Sequence, residues 1–281
     1  MALALLAQLV SLGCATLPRS SSGSPERAKA FTATVSLHGK PLEVHVIAPL
    51  DPVAADVLVL YASGDGGWFG AAVDMFEQFG REGYYAAGFS SRAFLNLERA
   101  TGELVNGEQI VDEYRQIIAQ VHTTLGLARS TRTVLTGWSR GAAFAVLVGA
   151  DGGLQPELAG VIAIGLPNAE ELRVRSDSDD AQLEGQASRT THRMRFDTYA
   201  LIPTIARTPC AVIQSTRDDF LPAEHARRLF GPDTEVRRLY AVAARNHRFS
   251  GGHDQFVTAL GDALHWVVTH SSSTVAKDLR K

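Results

Sequence analysis

Hydrophobic and polar positions change period along this chain, and each change predicts an element. Residues 31–37 and 42–47 are two short β-like runs flanking His38-Gly39-Lys40-Pro41, the pattern of a hairpin. Val57-Leu58-Val59-Leu60-Tyr61 is apolar throughout and partly β-branched, which suits a strand covered on both faces. Further strands are predicted over 84–89, 133–136, 161–164, 211–213 and 236–242. Helices are predicted over 69–81, 224–230 and 255–268, and a buried one over the wholly apolar 142–148. Val111, Tyr114, Ile117, Ile118, Val121 and Leu125 recur at helical spacing and predict an amphipathic helix. This alternation argues for the α/β class, with a mostly parallel central sheet and helices on both faces. Residues 169–206 break the pattern, being polar, mixed in charge and weakly periodic, and predict a lid-like insertion. Residues 271–281 read as a polar tail.

The ends of the chain add a location. Residues 2–17 are apolar and almost uncharged, and Pro18 follows. Spanning a bilayer takes about 20 residues, so the stretch predicts a signal-peptide core rather than a membrane span. Two processing routes fit residues 1–18. Leu12-Gly13-Cys14 resembles a lipobox, which would make Cys14 a lipidated first residue holding the domain at a membrane surface. Alternatively, Gly13 and Ala15 frame an ordinary signal-peptidase cut, although no Lys or Arg precedes the apolar run. Residues 19–30 are rich in Ser, Gly, Pro and charge and read as a flexible tether, leaving 31–270 as the domain. The expectation is a periplasmic protein, free or membrane-anchored, with a cytoplasmic enzyme bearing a frayed apolar N-terminus as the alternative.

With 281 residues and 45% hydrophobic content, one sizeable core is within reach. A net charge of −3 argues against a nucleic-acid partner. Cys14 and Cys210 do not make a disulfide scaffold, and Cys210, opening an apolar run, reads as a buried packing residue.

The sharpest motif is Gly137-Trp138-Ser139-Arg140-Gly141, a G-x-S-x-G between a strand-like and a helix-like run. That context places a serine hydroxyl on a sharp turn above a sheet, with a helix N-terminus aimed at the site. A serine needs a base, and in the α/β-hydrolase fold the chain order is serine, acid, histidine. Asp218 and Asp219 both follow a late strand, and Asp218 is favoured because it lies nearer the strand end. His247 follows the last strand and is the expected base, with His253 the competitor. The loop Ser63-Gly64-Asp65-Gly66-Gly67-Trp68 follows the 57–61 strand. Its backbone N–H groups at Gly64, Asp65 and Gly66, with that of Arg140, are the expected oxyanion donors. Asp65 is unusual there: it either orients the loop or meets a cationic group. Trp68 and Trp138 are candidate pocket walls. No metal-ligand spacing is present and no cofactor is expected. The chemistry predicted is cleavage of a small-molecule or lipid ester through an acyl-enzyme. A small-ester or carbohydrate esterase and a non-catalytic, secretion-associated binding protein are the rivals.

Ser63-Gly64-Asp65-Gly66-Gly67-Trp68, Gly88-Phe89-Ser90-Ser91-Arg92-Ala93-Phe94-Leu95 and Gly137-Trp138-Ser139-Arg140-Gly141-Ala142 together resemble the bacterial virulence domain of VirJ/AcvB-like proteins, over residues 57–255. The resemblance implies an α/β-hydrolase fold, a periplasmic location, and removal of lysine from aminoacylated phosphatidylglycerol. It carries Ser139, an aspartate at 218 or 219, and His247 over as a catalytic triad. Arg140 and Ala143 stand where close relatives have Phe and Asp. For such a substrate, Asp65, Asp177, Asp179 and Asp180 are candidates to meet an ammonium. Arg173, Arg175, Arg193 and Arg195 are candidates to meet a lipid phosphate.

Overall fold

The structure, a computed structural model, describes residues 28–99, 106–174 and 192–278. The expected leader with Cys14, most of the tether, and Arg175, Asp177, Asp179 and Asp180 lie outside the described residues.

Among the described residues, eight strands form one sheet. In chain order they are β1 (Ala28–Leu37), β2 (Lys40–Pro49), β3 (Val57–Ala62), β4 (Tyr85–Phe89), β5 (Arg132–Trp138), β6 (Leu158–Ile164), β9 (Cys210–Ser215) and β10 (Arg237–Val242). Across the sheet the order is β1-β2-β4-β3-β5-β6-β9-β10. The β1–β2 and β2–β4 pairs are antiparallel, and the other five are parallel. The first hairpin turns tightly through His38 and Gly39, both at positive φ (50° and 73°). Pro41, expected in the turn, lies in β2 opposite Ser36 and has no N–H to give. The Gln120 side chain substitutes: its amide donates to Ser36 O and accepts from Ser36 N, both at 2.9 Å. The pairing begins at Ala28, so residues 28–30 are strand rather than tether.

Strand β3 explains the layering. All six of its positions are buried, and successive side chains face opposite sides of the sheet. Val57, Val59 and Tyr61 pack on one side with α1 (Ala71–Arg81) and α7 (His253–Asp278), through residues such as Phe79 and Leu264. Leu58, Leu60 and Ala62 pack on the other with α2 (Ser91–Arg99), α3 (Gly107–Leu125), α4 (Arg140–Gly149) and α6 (Ala223–Phe230). Helix α3 is fixed at both ends, by an Asn106/Gln109 capping box and a left-handed Gly126. Cys210 is fully buried, and burial pushes its thiol up to about 12, as befits a packing residue.

Three expectations need correction. Helix α2 is not foreseen by the sequence reading, because it is short and buries little beyond Phe94 and Leu95. The polar end is not a tail from 271: α7 runs to Asp278. Two hydroxyls near this end bond to the helix backbone, Thr269 donating to His265 O (2.8 Å) and Ser271 to Val268 O (2.9 Å). The 169–206 insertion is not irregular where it is described. It forms an antiparallel ladder of β7 (Ala169–Val174) and β8 (His192–Asp197), followed by the short α5 (Thr198–Leu201). Alternation along β7 turns Glu170 and Leu172 to the buried side, 8% and 2% exposed.

Because β3, β5, β6, β9 and β10 run parallel, the loops at their C-terminal ends gather along one edge of the sheet. This is where open α/β sheets bind ligands.

Candidate active site

At the end of β5 the chain turns through Ser139 into α4, with φ 58° and ψ −118°. This conformation costs a non-glycine residue about 1–3 kcal/mol and persists only where surroundings enforce it. Here the serine N–H donates to Ile164 O (2.9 Å), and its carbonyl accepts from Ala143 N (3.1 Å). Serine at a helix N-cap usually spends its hydroxyl on the cap; Ser139 makes no such bond. The flanking glycines are required by close approach. A methyl group on Gly137 would lie 2.2 Å from the Gly141 carbonyl carbon, and one on Gly141 would lie 2.0 Å from Ala62 O. Gly141→Ala is therefore expected to cost about 3 kcal/mol or more. For a domain of this size that is a fall in Tm of roughly 6–12 °C, readable by circular dichroism.

His247 lies in the loop after β10. Asn246 Oδ1 accepts from Arg248 N (3.0 Å) and Ser250 N (3.1 Å), and the buried Phe249 takes φ 58°, so the loop is tightly held. The imidazole is 4.8 Å from the Phe220 ring, edge to face, and stacks on Trp138 at 5.4 Å. Trp138 Nε1 also donates to His247 O (3.2 Å). Behind the ring, His247 Nδ1 is 2.7 Å from Asp218 Oδ2. The opposite nitrogen, Nε2, is buried and has no hydrogen-bond partner among the described residues.

Asp218 is 3% exposed and its carboxylate is held on every side. Oδ1 accepts from Phe220 N (2.9 Å) and Leu221 N (3.2 Å), and Oδ2 accepts from Gln214 Nε2 (3.2 Å) as well as meeting the imidazole. Asp219 is exposed and approaches His247 only through the backbone N–H, at 3.5 Å. His253 is exposed at the start of α7.

Ser139 and His247 line one cleft of about 670 Å³, with Trp138 between them. No hydrogen bond joins the serine to the imidazole among the described residues, and such bonds commonly tighten only with substrate present. Gly64, Asp65, Gly66 and Gly67 line the same cleft. Gly67 N donates to Gly64 O (3.1 Å), which folds the loop over, while the N–H groups of Gly64, Asp65, Gly66 and Arg140 reach no backbone acceptor among the described residues.

The side chain of Asp65 turns to Arg140: its Oδ1 is 3.0 Å from the guanidinium Nε. The same Nε donates to Glu170 Oε1 (2.9 Å). Burial raises the Glu170 carboxyl pKa, and the Arg140 charge and hydrogen bond oppose that shift. Trp68 is not a wall of the cleft. Its indole stacks on His45 (4.3 Å, 4°) and meets Phe76 edge-on (4.9 Å), in the slot left by the missing side chain of Gly88. Phe69 lines the cleft in its place, 63% exposed, and Phe220 beside His247 is 71% exposed. Arg195 is exposed, 3.9 Å from Asp197. Glu170, Phe69 and Phe220 carry no motif; only the inward register of β7 could have drawn attention to Glu170.

No family model matches the chain, and no curated protein matches it. Solved structures do. An esterase domain from Rhodothermus marinus matches with a TM-score of 0.54 at 18% identity, covering 84% of this chain and 96% of its own. An esterase from Pyrococcus furiosus matches at 0.56 and 13%, over 85% and 93%. A Klebsiella pneumoniae protein assigned to the dienelactone hydrolases matches at 0.57 and 13%, over 85% and 98%. The chain has the α/β-hydrolase fold.

Proposed function

We propose that this chain is a serine hydrolase that cleaves a carboxylic ester through an acyl-enzyme. One observation carries the reading. A serine with an uncommitted hydroxyl shares a cleft with an imidazole whose far nitrogen is bonded to a buried carboxylate. His247 Nε2 takes the proton as Ser139 Oγ attacks the ester carbonyl, and the same imidazole then protonates the departing alkoxide. Asp218 keeps the Nδ1 proton in place and offsets the imidazolium charge. The N–H groups of Gly64, Asp65 and Arg140 receive the oxyanion. Water enters along the path vacated by the alcohol and regenerates the serine by the same steps.

For the substrate we propose aminoacylated phosphatidylglycerol, met by an exported domain at a membrane surface. Three things support this: the resemblance carried by the glycine–aspartate–tryptophan loop, the leader-like residues 1–18, and the opposite charges of Asp219 and Arg248, both exposed in the cleft. They complement an ammonium and a phosphate. A general small-ester esterase is favoured instead by the esterase neighbours and by the exposed Phe69 and Phe220 rings. Turnover of p-nitrophenyl acetate against lysyl-phosphatidylglycerol in vesicles decides between them. Release of free lysine at the higher kcat/KM supports the lipid substrate, and hydrolysis of the nitrophenyl ester alone overturns it. Failure of the folded protein to label with a fluorophosphonate overturns the hydrolase in favour of a binding protein.

A further inference from the structure

We propose that the Arg140 side chain is a positioning group that assembles the oxyanion site, by tying the Asp65 loop to the start of the nucleophile helix. The inference rests on the hydrolase reading above and assigns a role to a side chain that the triad chemistry leaves unused. The guanidinium meets two carboxylates through one nitrogen, Asp65 at 3.0 Å and Glu170 at 2.9 Å. The two contacts differ in kind. Glu170 is buried on β7, its side chain 9% exposed, so its bond to Arg140 is shielded from water and anchors the arginine. Asp65 is 63% exposed, so its ion pair competes with water and holds a loop rather than the core. What the tether joins gives it a use. The Gly64 and Asp65 N–H groups sit at one end and the Arg140 N–H at the other, and all three lack a backbone acceptor among the described residues. Two donors must converge on one oxygen within hydrogen-bond distance, and a contact between the residues that carry them fixes their separation. It also gives Asp65 a partner other than the developing oxyanion, whose charge its own would oppose.

The test is Asp65→Ala and Asp65→Asn, with Arg228→Met on the exposed face of α6 as control. Arg228 pairs with Glu224 in an exposed i,i+4 contact, and its replacement is expected to leave turnover unchanged. With p-nitrophenyl acetate, kcat is expected to fall by about tenfold to a hundredfold in Asp65→Ala. It falls as far in Asp65→Asn, which keeps the shape but loses the charge on which this ion pair rests, while KM and Tm stay at wild-type values. Affinity for phenylboronic acid, which adds to Ser139 as a tetrahedral anion, should fall by the same factor as kcat. Wild-type kcat in Asp65→Ala, or a loss confined to KM, overturns the proposal. Amide hydrogen exchange over residues 63–67 reads the tether without any reaction, and must quicken in Asp65→Ala. Unchanged exchange overturns it even if the ester is turned over. A wild-type protein with faster exchange in the variant but no Ser139-dependent labelling overturns the hydrolase reading, and with it the catalytic use of the tether.

Discussion

Replacing Ser139 with alanine is expected to lower ester turnover by about 10⁴–10⁶-fold and to abolish fluorophosphonate labelling. In the proposed chemistry Oγ forms the acyl bond, and among the described residues no other hydroxyl-bearing side chain lines the cleft. The variant should fold. Alanine meets the same positive-φ strain as serine, and the hydroxyl it removes makes no capping bond, so no structural contact is lost. The backbone N–H groups proposed to receive the oxyanion remain, so residual catalysis on the order of 10³-fold over water is expected to survive. Mass spectrometry of labelled protein, with Tm as the folding control, checks both parts. Labelling retained at wild-type rate would place the nucleophile elsewhere and remove the acyl-enzyme.

Much of this arrangement was legible because particular chemistry allows few alternatives. The β3 run is apolar at each position, and only a strand covered on both sides uses such a run. The G-x-S-x-G glycines sit where a methyl group would penetrate the backbone, so sequence and geometry are tied there by sterics alone. Less legible were residues whose role depends on a distant partner. Trp68 follows the glycine loop as a pocket wall would, yet its indole turns to the slot above Gly88, some twenty residues away in sequence. Glu170 sits in a polar segment with no periodic signal, and only the β7 ladder turns it toward Arg140. Asp218 and Asp219 are adjacent and chemically identical. What separates them is the loop's curl, which directs two backbone N–H groups at Asp218 and leaves Asp219 in solvent.

The same curl makes Asp218→Asn a sharp experiment. The N–H groups of Phe220 and Leu221 require an acceptor at the Oδ1 position, so an asparagine must place its carbonyl oxygen there. Its amide NH2 then faces His247 Nδ1 and the Gln214 Nε2 donor. Nδ1 is forced to accept, the imidazole proton moves to Nε2, and the nitrogen that should take the serine proton becomes a donor. A loss of about 10⁴ in kcat at pH 7 is expected, with KM little changed because no substrate contact is removed. The NH2 facing the Gln214 donor should also cost about 1–3 kcal/mol of stability, since buried donors lose an acceptor. Asp219→Asn, which leaves the imidazole tautomer alone, should keep kcat on the uncharged p-nitrophenyl acetate within about threefold of wild type, the range of an exposed polar change. Nitrogen NMR of the imidazole reports the tautomer directly. If Asp218→Asn keeps its proton on Nδ1, or if the two aspartate variants lose activity equally, Asp218 does not orient the base.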